Sequence, residues 1–419
     1  MSSNLVRIRS LEKEEIVISQ ESFDKVVTRN MEFLIVTIGN SKHILLPYPI
    51  QIIRYFVNYM EKGDPEFTSV TQAFDLYHLS DRLKIDNLRY KCTMYLIKEI
   101  TLHNVCSIHD FACEVKDANI SYYCWKAFDR YGENLFTTQD FLCCKSTTIN
   151  RLVSRPICES VTEIRLFLAV YQWCDKRIEI ETGIKAYNLM EKETKRQKIR
   201  NVIEQFIGKI RFLAMSVSQL KSSVFKLNFL TSTEKGLLRF ASETQNLSEY
   251  PSYFSKEKQT RNMESYNDLI VYNNNQNFIR ITNDNRKPKL YFTCEVILSE
   301  VSYLTALLLP INLSCDSAIM QVFGYTKALN SYIRWFYTVC NRNGIAKLEK
   351  CVCLKRDMWL RFVAFFVDIK NFRSTVNLSS EAFVFENEEE TEKMVLEQLN
   401  TKFDGSIYDN ISFKLEFYF

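Results

Sequence analysis

The sequence predicts an α+β protein whose helical first half is joined through a polar segment to a β-rich second half. Three observations lead there. Apolar residues recur at helical spacing from 69 to about 240, the composition turns polar and Asn-rich over 241–286, and aromatic and β-branched residues dominate beyond. At 419 residues the chain also exceeds what one compact domain usually holds.

Taken in order, "FLIVTIG" (33–39) reads as a buried strand closed by Gly39, and "PIQIIRYFVNYMEKG" (49–63) as a helix stopped by Gly63. Ala73, Leu76, Tyr77 and Leu83, then Leu88, Cys92 and Leu96, hold helical spacing with short breaks. Further helical segments fall at 102–114, 119–131, 162–178 and 195–211. The run "EKETKRQK" (191–198) reads as a solvated face opening or preceding the last of them. The stretch 241–286, with "NNNQN" at 273–277, reads as a linker. After it, "KLYFTCEVIL" (289–298), "YIRWFYTVC" (332–340) and "MWLRFVAFFVDI" (358–369) are strand-like. "ISFKLEFYF" (411–419) alternates strictly, so a β-sandwich-like domain is expected over 287–419.

Composition narrows the function classes. Hydrophobic residues at 46% and charged residues at 25% describe an ordinary globular chain. The net charge of +4 is too small to draw nucleic acid or membrane by bulk electrostatics. The most apolar runs, "YLTALLLPI" and "RFVAFFVDI", fall well short of the roughly 20 residues a membrane helix needs. Thirteen cysteines, an odd number without a repeated spacing, do not describe a secreted disulfide framework, and "MSSNLVRIRSLEKEE" has no signal-peptide core. A reducing intracellular compartment, cytoplasmic or nuclear, is expected. Only nine glycines occur, and no phosphate loop, nucleophile elbow or His-Glu-x-x-His is present, which lowers the prior for an enzyme.

"ITLHNVCSIHDFAC" (100–113) invites a metal reading through His103, Cys106, His109 and Cys113. On a helix turning about 100° per residue, with His103 as origin, Cys106, Cys113 and His109 fall at about 300°, 280° and 240°. They share a face, but residues 103 to 113 climb about 15 Å, whereas zinc ligands lie about 2.0–2.3 Å from one point. The two cysteines therefore read as small core residues, with the histidines flanking them. His43 and His78 show no acid–base partner in sequence, and Cys351 with Cys353 reads as packing.

In this register the stretch resembles the BACK domain of BTB/POZ–BACK proteins. Thr101, Asn104, Val105 and Cys106 match the family's opening Leu-Thr-x-x-Asn-Val-Cys, with His103 where Glu is frequent. Cys124 matches the second helix, and Thr138 with Phe141 the Ser-x-x-Phe element. "VTEIRLFLAVYQW" supplies Thr162, Glu163, Phe167, Ala169, Val170 and Trp173, and "IGKIRFLAMSVSQL" (207–220), with Ala214 at or beside the Leu position, is similar to the family's Ile-Arg-Phe-Pro-Leu-Met segment. Upstream, "IIRYFVNYMEKG" and "AFDLYHLSDRLKIDNLRYKCTMYL" resemble the end of a BTB fold.

The resemblance implies a partial BTB/POZ domain over 1–98, an all-helical BACK domain over 99–240, a linker over 241–286 and a β-sandwich-like domain, similar to a PHR domain, over 287–419. The family's opening strand pair and long helix are not evident, and "EIVISQESFDKVV", with Ser22 and Phe23, reads as their shortened form. That part carries the family's dimer interface, so homodimerisation is left open. Asn30 stands where cullin-binding members place an apolar residue two positions before Glu32.

The function the resemblance implies is a non-enzymatic interaction adaptor that recruits a client protein to a cullin-3 ubiquitin ligase. The alternative is a BTB–BACK scaffold or transcription cofactor without ligase association. The candidate partner-binding residues are Ile52, Tyr55, Phe56, Tyr59, His103 and His109, with plain helix core as the competing reading for those of helix 49–63. No catalytic residue, cofactor or metal is assigned.

Overall fold

Alternation in "LVRIR" and "EIVIS" builds an antiparallel hairpin of β1 (Leu5–Arg9) and β2 (Glu15–Ser19), with Val6, Ile8 and Ile18 buried on one face. Ser19 caps the five-residue α1 (Gln20–Asp24), whose Phe23 is fully buried. A second hairpin, β3 (Ile35–Ile38) and β4 (Ser41–Leu45), completes a four-stranded sheet of order β2-β1-β4-β3 in which β4 runs parallel to β1. The first described elements are thus a strand pair followed by a five-residue helix. β4 escaped the reading because "SKHIL" carries too few apolar positions to show a period.

The computed structural model describes residues 5–26, 34–38, 41–158, 160–227, 229–262, 278–284, 287–297, 302–309, 311–326, 331–354, 359–366, 376–378, 407–409 and 414–418. They fall into two compact units that divide after Ile149. In the first unit, α2 (Ile50–Lys62) ends at Gly63, whose φ of 74° lets its N–H reach the Tyr59 carbonyl. α3 (Val70–Leu83) and α4 (Asp86–Lys98) follow, then α5 (Val105–Val115), α6 (Ala118–Tyr131), α7 (Gln139–Cys143) and the start of α8 (Ser146–Ser154).

The expected boundary at 98/99 does not separate compact bodies. Phe111 of α5 stacks on Phe74 of α3 at 4.1 Å, and Asp117, which caps α6, accepts from Tyr77 of α3 and Thr93 of α4. These contacts bind the last helices of the first expected domain to the first helices of the second.

The helical part of the second unit centres on α9 (Glu163–Thr182), where Phe167 meets Phe212 and Phe229, and Trp173 meets Phe206 of α11 (Lys192–Ile207). The charged run at 191–198 does open α11. α10 (Ile184–Asn188) precedes it, and α12 (Val217–Ser222) and α13 (Ser232–Thr244) follow.

Beyond Thr244 the expected linker does not begin. Tyr250 and Phe254 are buried, and the Tyr253 carbonyl comes so close to Gly208 that a Cβ there would lie 3.0 Å from it. Arg261 is buried, pairs with buried Glu163, and donates to the carbonyls of Arg155, Val153 and Lys209 at 2.8, 2.7 and 2.6 Å. Residues 263–277 of the expected linker lie outside the described residues.

The β-rich part forms one antiparallel ladder of order β14-β5-β6-β12-β9-β10-β11-β7-β15. Its strands are β5 (Phe278–Asp284), β6 (Lys287–Ile297), β7 (Ser302–Leu308), β9 (Ser317–Thr326), β10 (Ser331–Asn341), β11 (Ile345–Leu354), β12 (Trp359–Phe366), β14 (Ile407–Asp409) and β15 (Lys414–Tyr418). A separate ribbon joins β8 (Ile311–Leu313) to β13 (Val376–Leu378). β14 and β15 occupy opposite ends of the ladder, yet only residues 410–413 separate them in sequence. A flat sheet would put those ends about 38 Å apart at about 4.8 Å per strand, whereas the connecting chain reaches at most about 19 Å. The sheet must therefore curl until its edges approach.

Removing the Arg261 guanidinium would leave Glu163 buried without its cation and three carbonyls unmet. Arg261→Ala is expected to cost about 3–5 kcal/mol in a denaturant titration of the full chain. A loss below about 1 kcal/mol would show that the pair is not what holds the 245–262 segment.

Candidate functional site

The site is built from the sequence region that first looked like a metal centre. Asn104 turns the chain into α5: its Oδ1 accepts from the Thr101 N–H at 2.7 Å and its Nδ2 donates to the Glu99 carbonyl at 2.8 Å. Asn104 gives no side-chain cap to the helix it begins. That service comes from α7, where Asp140 accepts from the Cys106 N–H at 2.7 Å and the Ser107 N–H at 3.1 Å. In return, Asp110 of α5 accepts from the Lys145 N–H, just before α8, at 2.7 Å and from the Thr148 hydroxyl at 2.6 Å.

His109 is fully buried in this exchange. Its ring lies 4.4 Å from that of Trp125, and Nδ1 is 2.7 Å from Thr148 Oγ1. With the Thr148 hydroxyl donating to an ionised Asp110, the contact to His109 is met by the tautomer that carries Nδ1–H. Cys113 Sγ sits 3.7 Å from the same nitrogen. His103 stands apart, exposed in the turn before α5. The described residues contain no group of three or more His, Cys, Asp or Glu placed to hold a metal.

Burial sets the electrostatics. It raises Asp110 and Asp140 above the usual carboxylate range against the pull of their hydrogen bonds. It also raises the Cys106 and Cys124 thiols well above the ordinary value, the Cys144 thiol beside Cys106 adding to the effect. Thiols held protonated in this way are poor nucleophiles. The arrangement locks helices together, with His109, Asp110, Cys106 and Cys124 buried and Cys113 partly buried.

The candidate partner-binding residues are not brought together. Ile52, Phe56 and Tyr59 are buried on the inner face of α2, leaving Tyr55, half-buried, as the one of the four within reach of a partner. Ile52, Phe56 and Tyr59 are therefore helix core, because the same spacing that aligns them on one face turns that face inward. His109 is core, and His103 is surface. His78, which showed no partner in sequence, lies 3.7 Å from Glu114. Sequence reasoning missed Asp110, Asp117 and Asp140, whose partners lie up to 40 positions away; an Asp ahead of an apolar helical run was the available signal for Asp117.

Comparison with protein-family models finds no match, and comparison with curated proteins finds none. No helix of the described residues is long and apolar enough to cross a membrane.

Asp140→Asn leaves one acceptor oxygen for two backbone donors, so a loss of about 1 kcal/mol is expected at neutral pH. A raised folded pKa means that the carboxyl's contribution is fully present below the ordinary carboxylate range and is lost as the pH rises through the raised value. A stability series from about pH 4 to 7 should therefore decline less steeply in Asp140→Asn than in the parent. Parallel curves would show that Asp140 does not titrate with folding.

Proposed function

We propose that the chain is a BTB/POZ–BACK interaction adaptor that recruits a client protein to a cullin-3 ubiquitin ligase. The observation that carries this reading is the element order of the first unit together with where the resembling residues lie. Two hairpins with β4 parallel to β1 and a short helix between them lead into α2, α3 and α4, and α5 then begins at the Thr-x-x-Asn-Val-Cys motif. The resembling residues have demanding structural roles. Thr101 and Asn104 shape the turn into α5, Cys106 and Cys124 are core, and Thr138 caps α7 while Phe141 is buried beneath it. Glu163, Phe167, Ala169, Val170 and Trp173 are buried along α9. A helical scaffold presenting surfaces, with its charged groups engaged in holding helices, suits an adaptor better than a catalyst.

The β-rich part would serve as the client-recognition end. The curl forced by the β14–β15 connection supports a sandwich-like, PHR-like reading of it. On α2, Tyr55 with the exposed Gln51 and Arg54 is the face available to a cullin. A cytoplasmic or nuclear location accompanies this reading.

Purified full chain mixed with the N-terminal region of cullin-3 is expected to co-elute, and Tyr55→Ala with Arg54→Glu to weaken the complex about tenfold or more. Failure to associate, where an intact BTB–BACK protein does so, would leave the scaffold or transcription-cofactor reading.

A further inference from the structure

The helices cover one face of the sheet β2-β1-β4-β3, and its other face carries an unusual set of side chains. Strand alternation puts Leu5, Arg7 and Arg9 of β1, Val17 of β2, Val36 of β3, and His43 and Leu45 of β4 opposite the buried Val6, Ile8, Ile18 and Ile44. The register aligns them in rows: Arg7 stands between Val17 and His43, His43 faces Val36, and Arg9 stands between Glu15 and Leu45. Val17, Val36 and Leu45 are 44%, 59% and 60% exposed, and Leu11 on the β1–β2 turn is 63% exposed. Large aliphatic side chains concentrated on one small sheet mark an interaction surface more often than scattered ones do.

The charges say what kind of partner fits. The neighbouring acids are occupied: Glu15 lies 3.5 Å from Arg7, Glu14 lies 3.9 Å from Arg54, and Glu12 accepts from the Ile50 N–H at 3.1 Å. Arg9 and His43 have no ion pair among the described residues. A second copy would bring another Arg7 and Arg9 onto the same small face, so like charges oppose self-association through it. A polyanion would meet the cations but leave the interleaved aliphatic groups unburied. A sheet face bearing apolar side chains is most readily covered by a helix whose apolar stripe meets it.

We propose that this face docks an acidic amphipathic helix of a partner protein, its aliphatic residues on Val17, Val36 and Leu45 and its carboxylates on Arg7, Arg9 and His43. The proposal stands independently of cullin binding.

The test is selection of a displayed library of random peptides of about 16 residues, enough for a helix of roughly 24 Å, against the full chain. The selected peptides are expected to place Asp or Glu beside Leu, Ile or Phe at helical spacing and to weaken as salt is raised. They should lose about tenfold or more in affinity for Val36→Ser/Leu45→Ser and for Arg9→Glu, exposed substitutions that leave the sheet's buried face intact. Peptides without the acidic, helically spaced pattern would overturn the proposal, as would equal affinity for the parent and Val36→Ser/Leu45→Ser. A full-chain dimer that Val36→Ser/Leu45→Ser splits would overturn it in favour of a second copy.

Discussion

A helix packed into a protein interior brings unpaired backbone N–H groups with it, and burial is tolerated only if something meets them. That constraint organises this chain. Asp117 receives its own helix start on one oxygen and Tyr77 and Thr93 on the other, so a single carboxylate caps the start of α6 and ties it to α3 and α4. Asp140 and Asp110 exchange the same service between α5, α7 and the start of α8. In the second unit, Glu234 closes a capping box on Thr231 and takes Tyr253 and Arg200, and Glu163 holds the Arg211 N–H while pairing with Arg261. Asp117 and Glu234 each meet a local helix start with one oxygen and a distant element with the other, whereas Asp110, Asp140 and Glu163 spend both oxygens on segments distant in sequence. Losing one would therefore affect two places at once.

The helices were legible because their apolar period is long and repeated; α2 and α6 fall within a residue of their expected limits. Short elements were not. β1, β2 and β4 have five residues each, too few for alternation to stand out from composition. The polar segment from 241 misled for a different reason. Its composition suggests a linker, but Tyr250, Phe254 and Arg261 pack it down, and a buried arginine has no signature in sequence because its partners lie 52 to 108 positions away. Composition averages over a window, whereas docking depends on a few anchors.

The histidine–cysteine cluster shows chemistry-bearing residue types taking part in packing. Helical rise argued against convergence on one metal, and the structure goes further by taking His103 out of the helix altogether. His109 is linked through the Thr148 hydroxyl to Asp110. The same logic applies to the residues behind the family resemblance. Most of them are buried or capping, so they speak to the fold, and binding has to be sought on surfaces they do not form.

The β-rich part illustrates what connectivity can decide. Ala318 and Cys340 face each other and are buried, as do Met320 and Thr338, while the intervening Ile319–Val339 pair is exposed. Along this part of the β9–β10 pair one face is covered and the other meets solvent. The reach of residues 410–413 requires the sheet to fold back toward its own edge. A curled sheet turns its concave side chains toward one another, which is how a single ladder can supply both walls of its own core. On β7 the burial departs from strict alternation, Tyr303 with Leu304 and Ala306 with Leu307 all being buried, where the register against β15 shifts.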